Sequence, residues 1–279
     1  MRRTPWIVVG ILCFSLIGIA QTAEELVAKN LAAKGGEDKI KSIKTLRLKG
    51  RYQEGDGFTA QVGQEGKAPN QARSTFSLQG MDNIQAYDGS VGWQINPFQG
   101  RRDAELLGED DMRDIVEDSD FYGPLVDAQA KGETIEYMGH ATIDGDDAYK
   151  LKVTLKNGDI YYYYLDPDTF IEFRTERQQF VRGSVKETVN EFGSYKQVAG
   201  VYMPFVITTG RRKDLANAAT ISYTSIEANV PLDDKIFKMP ASPATPPALK
   251  DAEAGTNPKT KKAKQPAAEK PPTTKPPQQ

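Results

Sequence analysis

The chain has 279 residues, a formal net charge of −2, one cysteine and one histidine. Those counts exclude a disulfide framework and a multi-histidine metal centre, and they leave Ser-His-Asp chemistry only if His140 itself serves. An acid-leaning chain also lacks the basic footprint with which a protein grips a nucleic acid backbone.

In chain order, Arg2 and Arg3 precede an apolar run from Trp6 to Ile19 that is broken only by Gly10, Ser15 and Gly18. A basic start, a short apolar stretch and small residues after it predict a secretory signal peptide over residues 1–23, cleaved near Gly18-Ile19-Ala20 or Gln21-Thr22-Ala23. The run is shorter than the roughly 20 apolar residues of a membrane span; an uncleaved anchor is the alternative. Cys13 lies inside the run, so the mature chain is expected to carry no thiol nucleophile and no cysteine-linked lipid.

Thr22 followed by Glu25 reads as a capping box, with Leu26, Val27 and Leu31 forming the apolar stripe of a helix that ends at Gly35-Gly36. A second helical turn is expected over Glu37 to Ile43. From Thr45 the pattern changes to period two, and strands are predicted near Thr45 to Gln53, Phe58 to Gln64 and Arg73 to Gln79. Asp88-Gly89 has the composition of a two-residue hairpin turn between Ile84 to Tyr87 and Ser90 to Ile95. On the second of these strands Val91, Trp93 and Ile95 share a face, and Asn96-Pro97 is expected to stop it. The acid-rich stretch Asp103 to Asp120, with Leu106, Leu107, Met112, Ile115 and Val116 at helical spacing, predicts helices, and a further piece is expected over Tyr122 to Ala130.

Leu151, Val153 and Leu155 alternate with lysines and Thr154 up to Asn157-Gly158. A two-residue turn there sets Leu155 opposite Ile160, Val153 opposite Tyr162 and Leu151 opposite Tyr164, one continuous apolar face. Strands are also predicted over Phe170 to Phe180, Val185 to Tyr195, Val201 to Thr209 and Ala219 to Ile226. The expected architecture is mainly β with a few short helices: about ten strands in one curved antiparallel sheet that closes toward a half barrel. The tail 241–279 holds seven lysines against Asp251, Glu253 and Glu269 and is rich in proline. It is expected to be disordered, and it leaves the body between, residues 24–240, more acidic than the whole chain.

No catalytic constellation stands out. Asp144-Gly145-Asp146-Asp147 and Asp166-Pro167-Asp168 resemble fragments of calcium loops but lack their spacing. No metal and no cofactor is expected.

Tyr87-Asp88-Gly89, Trp93 and Asn96-Pro97-Phe98 resemble the D-G-x-x-x-W-x-x-N-P-F segment of the periplasmic lipoprotein carriers of the Lol system. Gly35-Gly36 with Ile40 and Ile43, the run Tyr195 to Pro204, and Pro231-Leu232-Asp233-Asp234-Lys235-Ile236-Phe237 are similar to the related outer membrane lipoprotein-sorting proteins. The resemblance spans Thr22 to about Pro240. It implies an incomplete antiparallel barrel with helices as a lid, whose apolar cavity shields the acyl chains of lipoproteins or lipids crossing a Gram-negative periplasm. It implies transfer partners at the two membranes, a monomer, and no enzyme activity. Combined with the facial readings above, it nominates Trp93, Ile95, Leu151, Val153, Ile160, Tyr162 and Tyr164 as cavity wall. In the carriers a K-R-P-N segment supplies an arginine that locks the lid; the matching stretch here is Lys67-Ala68-Pro69-Asn70, which leaves Lys67 or Arg73 to take that role. Two other readings stay open: a non-catalytic periplasmic scaffold with a filled core, and a hydrolase built on the acidic cluster and His140.

Overall fold

Period-two patterning becomes strand almost wherever it occurs. The structure, a computed structural model, describes residues 21–55, 57–212 and 214–241; the expected signal peptide up to Ala20 and the tail from Ser242 lie outside them. In chain order the elements are α1 (Ala23–Ala33), α2 (Glu37–Ser42), β1 (Thr45–Glu54), β2 (Phe58–Lys67), β3 (Gln71–Leu78), β4 (Met81–Tyr87), β5 (Gly92–Asn96) and β6 (Arg101–Leu106). They are followed by α3 (Glu109–Asp118), α4 (Ala128–Lys131), β7 (Thr134–Ile143), β8 (Asp146–Thr154), β9 (Ile160–Leu165), β10 (Glu172–Val181) and β11 (Ser184–Gly193). The last are β12 (Lys196–Val198), β13 (Val201–Met203), β14 (Val206–Arg211) and β15 (Asp214–Ala228).

Thirteen strands form one antiparallel sheet in the order β6-β5-β4-β3-β2-β1-β15-β14-β11-β10-β9-β8-β7, while β12 and β13 pair with each other. The sheet curls without closing, as expected for a half barrel; its neighbours are joined by short connections except β11 and β14, between which the β12–β13 pair is inserted, and the β1–β15 seam, where Leu46 meets Ala228. The capping box of α1 is present, Thr22 accepting from the Glu25 amide at 3.2 Å and Glu25 from the Thr22 amide at 3.4 Å.

Several elements depart from the sequence expectations. Arg101–Leu106 is a strand, not the start of a helix: after Asn96-Pro97 a 3-10 turn ending at left-handed Gly100 sends the chain back along β5, so the proline turns the sheet without ending it. Its charged side chains suit an edge strand, where repulsion and solvation discourage further pairing. Of the expected Tyr122 to Ala130 piece only the end is helical, as the start of the short helix Ala128–Lys131. Pro204 and Phe205 divide the expected Val201 to Thr209 strand into β13 and β14.

The β8–β9 hairpin carries the largest correction. The Gly158 amide donates to the Leu155 carbonyl at 2.9 Å and the Leu155 amide to the Asp159 carbonyl at 2.8 Å, so Lys156, Asn157 and Gly158 make a three-residue loop with Gly158 at φ 89. The register therefore slides by one residue, pairing Leu151 with Tyr163 and Val153 with Tyr161. A one-residue slip exchanges faces. Ile160, Tyr162 and Tyr164 lie opposite Thr154, Lys152 and Lys150, on the other side of the sheet from Leu151 and Val153. The Lys150 ammonium stands 4.2 Å from the Tyr162 ring centre and 5.2 Å from that of Tyr164.

Helices occupy the concave side. Leu26 of α1 joins Leu125, Leu151, Val153, Tyr163 and Leu165 in one buried cluster, and Leu31, Ile40, Ile43, Val126 and Val201 form a second. Helix α3 spans the opening of the curl. On one flank it seats on Gly92, where a Cβ would stand 2.6 Å from Met112 Sδ and 3.0 Å from Leu107 Cδ1; only the missing side chain lets the helix come this close. On the other flank it meets β9 and β10 through charged side chains.

Candidate functional site: the cleft under helix α3

Between the concave face and the helices run two adjoining cavities, of about 380 and 490 Å³. Leu46, Asp118, Phe121, Asn190 and Phe192 line both, so they form one cleft. Alternation along the strands sets its wall: Leu46 and Leu48 of β1, Phe192 of β11 paired with Ile207 of β14, and Ile207 paired with Ile221 of β15. The roof is the end of α3 and the segment after it, with Phe121, Tyr122 and Val126. These side chains form an apolar stripe that polar and charged groups interrupt in both cavities: Gln64, Glu65, Arg73, Ser74 and Asp114 in one and, at a second polar end, Asn30, Lys34, Glu172 and Thr175.

At that polar end Asn30 is fully buried on α1. Its amide nitrogen donates to the Phe170 carbonyl at 2.8 Å and to Glu172 Oε2 at 2.7 Å, while Lys34 Nζ lies 2.5 Å from Glu172 Oε1. Asn30 Oδ1 has no partner among the described residues.

An ion network clamps α3 over the cleft. Arg113 Nε donates to Asp159 Oδ2 at 3.0 Å, its terminal nitrogens donate to Asp159 Oδ1 and, at 3.1 Å, to the Phe180 carbonyl. Asp114 accepts from Gln179 at 2.7 Å and Arg177 at 3.1 Å; Glu117 accepts from Asn157 at 2.7 Å and pairs with Arg177 at 2.6 Å. Lys67 and Arg73 do not take the lid-locking role: Lys67 pairs with Asp234 after β15 and Arg73 with Glu65 on the neighbouring strand at 3.2 Å. The ties between α3 and the sheet come from the helix's own Arg113, Asp114 and Glu117.

Burial, followed by the hydrogen bond with Asp159, pushes the Glu117 carboxyl up from its ordinary 4.5 to about 7, against the pull of Arg177. The folded state therefore holds this proton more tightly than the unfolded chain. Its contribution to stability is fully present below the unfolded value and is lost as pH rises through about 7. Urea unfolding should show a loss on the order of 1–3 kcal/mol between about pH 5 and pH 8 from this group. Glu117→Gln should flatten that slope; an unchanged slope in the variant would assign it to another group.

Of the residues nominated from sequence, Leu151 and Val153 do face the concave side but are fully buried beneath α1, in packed core. Trp93 and Ile95 face away from the cleft. Since Gly92 lies under α3, its neighbour Trp93 points to the opposite side; there it is 4% exposed and donates from Nε1 to the Phe237 carbonyl at 2.8 Å. Ile160, Tyr162 and Tyr164 share that outer side by the register described above. The cleft residues Phe121, Phe192, Ile207 and Ile221 escaped sequence reading because they come from elements distant in the chain. His140, exposed on edge strand β7, has its ring 4.8 Å from that of Tyr149. The Asp166 carboxylate accepts the Asp168 and Thr169 amides and so shapes a turn.

Neither the family models nor the curated proteins compared contain a match to this chain. Solved structures do. A LolA superfamily protein from Nitrosomonas europaea superposes with a TM-score of 0.54 over 78% of this chain and 98% of its own, at 14% identity. The fold is LolA-like. A DUF1329 family protein from Desulfovibrio piger matches equally, with a TM-score of 0.54, 14% identity, and 77% and 97% of the two chains covered. A putative outer membrane lipoprotein-sorting protein domain from Vibrio parahaemolyticus gives 0.53 at 10% identity, over 76% of this chain and 94% of its own. The LolA-like half barrel accounts for nearly the whole length of each relative and for the described body of this one.

Proposed function

We propose that this protein is an exported, non-catalytic carrier that holds acyl chains of lipoproteins or lipids in the cleft under α3 during passage across the periplasm. The observation that carries the reading is the cleft itself: a space with an apolar stripe of Leu46, Phe192, Ile207 and Ile221, bordered by polar side chains and roofed by a helix clamped by ion pairs. Each methylene moved from water into such a wall contributes about 0.8 kcal/mol, so ten of them give roughly 8 kcal/mol without any covalent step. The expected signal peptide and the LolA-like fold support a periplasmic location, and release would be driven by an acceptor of higher affinity at the outer membrane.

The test is uptake of an uncharged fluorescent acyl probe, with mass spectrometry of organic extracts from protein purified out of its native envelope. Phe192→Glu should abolish uptake while the fold persists, because Phe192 is only half-buried at the cleft and a carboxylate there stays hydrated in the empty state. Trp93 emission should stay fixed during uptake, since that ring lies on the far side of the sheet. Full uptake by a folded Phe192→Glu protein would overturn this assignment of the cleft; absence of any bound lipid and of any uptake would favour a scaffold with a filled core.

A further inference from the structure

The electrostatics of the cleft carry the proposal one step further, to the kind of head group it accepts; this step rests on the carrier reading. Five carboxylates, of Glu65, Asp114, Asp118, Asp120 and Glu172, line the two cavities against two cations, Lys34 and Arg73. Four of the five are matched: Glu65 by Arg73, Asp114 by Arg177, Asp120 by Lys131 and Glu172 by Lys34. Asp118, the last residue of α3, lines both cavities, and its carboxylate has no hydrogen-bond or ion-pair partner among the described residues. It is open to the cleft yet surrounded by protein on most sides, and this burial raises its pKa, with Asp114 adding to the shift and Arg177 and Lys186 opposing it.

Three further features of the cleft point the same way. It ends a ten-residue helix, whose exposed carbonyls make the local potential negative. Phe121 and Tyr163 present aromatic rings to the same cavity, and ring faces attract cations. At the inner end, the unpartnered Asn30 Oδ1 awaits a donor. Unmatched carboxylate, helix C-terminus, aromatic rings and free carbonyl oxygen all favour a positively charged, hydrogen-bond-donating group and disfavour a carboxylate or phosphate.

We propose that the cleft selects amphiphiles with an ammonium head group, the alkyl chain lying along Leu46 and Phe192 and the ammonium held at Asp118 beside Phe121. Calorimetric titration of the full chain at pH 7.4 and low salt with dodecylamine, dodecanol and dodecanoate, equal in chain length and different in charge, tests it. The amine should bind about tenfold more tightly than the carboxylate, with the alcohol between them. Asp118→Asn should bring amine and carboxylate within about twofold of each other; the variant removes a negative charge from a helix C-terminus, so folding is not at risk. Carboxylate binding as tight as amine binding, or a ranking unchanged in Asp118→Asn, overturns the proposal while leaving the carrier intact. Failure of all three to bind overturns the carrier reading, and this one with it.

Discussion

Arg113→Ala is expected to destabilise the protein by about 3–5 kcal/mol, the cost of leaving a buried charge without its partner. Asp159 has no solvent-exposed side-chain surface, and Arg113 meets both of its oxygens. In water the lost pair would matter little; here the stranded carboxylate must either stay charged in a poor dielectric or take up a proton. Equilibrium urea unfolding measures the loss directly. The double variant Arg113→Ala/Asp159→Leu should recover a large part of it, because exchanging both members of a buried pair for apolar groups removes the desolvation penalty. A cost below about 1 kcal/mol for the single variant would mean that α3 is held by its seat on Gly92 and by Asp114 and Glu117, with little from Arg113.

Val153→Glu should be at least as damaging. Val153 is fully buried in the cluster of Leu26, Leu125, Leu151 and Tyr163, with α1 closing over it. A glutamate there overpacks the core and buries an unpaired charge, which costs several kcal/mol and should leave a chain that no longer unfolds cooperatively above room temperature. The contrast with Phe192→Glu makes the pair informative: two carboxylates on the same concave side, one in packed interior and one at an open cleft. Circular dichroism melts of both separate core from cavity without reference to any ligand. A Val153→Glu protein as stable as the parent would place a cavity beneath α1 as well.

Sequence patterning was a good guide to elements and a poor one to faces. The capping box at Thr22 and the alternation in β1 and β8 act over a few residues, so they are readable locally. Strand β7 was not read from the sequence: Ile135 and Tyr137 alternate with Glu136 and Met138, but the register break between Tyr137 and His140 interrupts the rhythm. Alternation shows that Trp93 and Gly92 face opposite ways; it cannot show which way is in. That is decided by Phe237, whose carbonyl receives the indole proton from a position 144 residues on. Asn157-Gly158 suits both a two-residue and a three-residue loop, and the choice between them decides the side on which Tyr162 and Tyr164 stand. The cleft was least legible, since Asn30, Leu46, Asp118 and Phe192 become neighbours only when the sheet curls.

The seam between β1 and β15 also governs the order in which this protein can assemble. Every other pairing in the large sheet joins strands close in the chain, but Leu46 must wait for Ala228. A chain that emerges N-terminus first can zip β1 through β6 as a meander while one long side of β1 still shows bare backbone donors and acceptors. Such an edge recruits other chains until it is covered. Closing the loop is not the obstacle, since each doubling of loop length adds only about 0.6 kcal/mol; the hazard is the waiting time. Folding intermediates of this protein should therefore be most prone to aggregate just before β15 arrives, and aggregation during refolding should rise steeply with concentration for a chain shortened to end before residue 214.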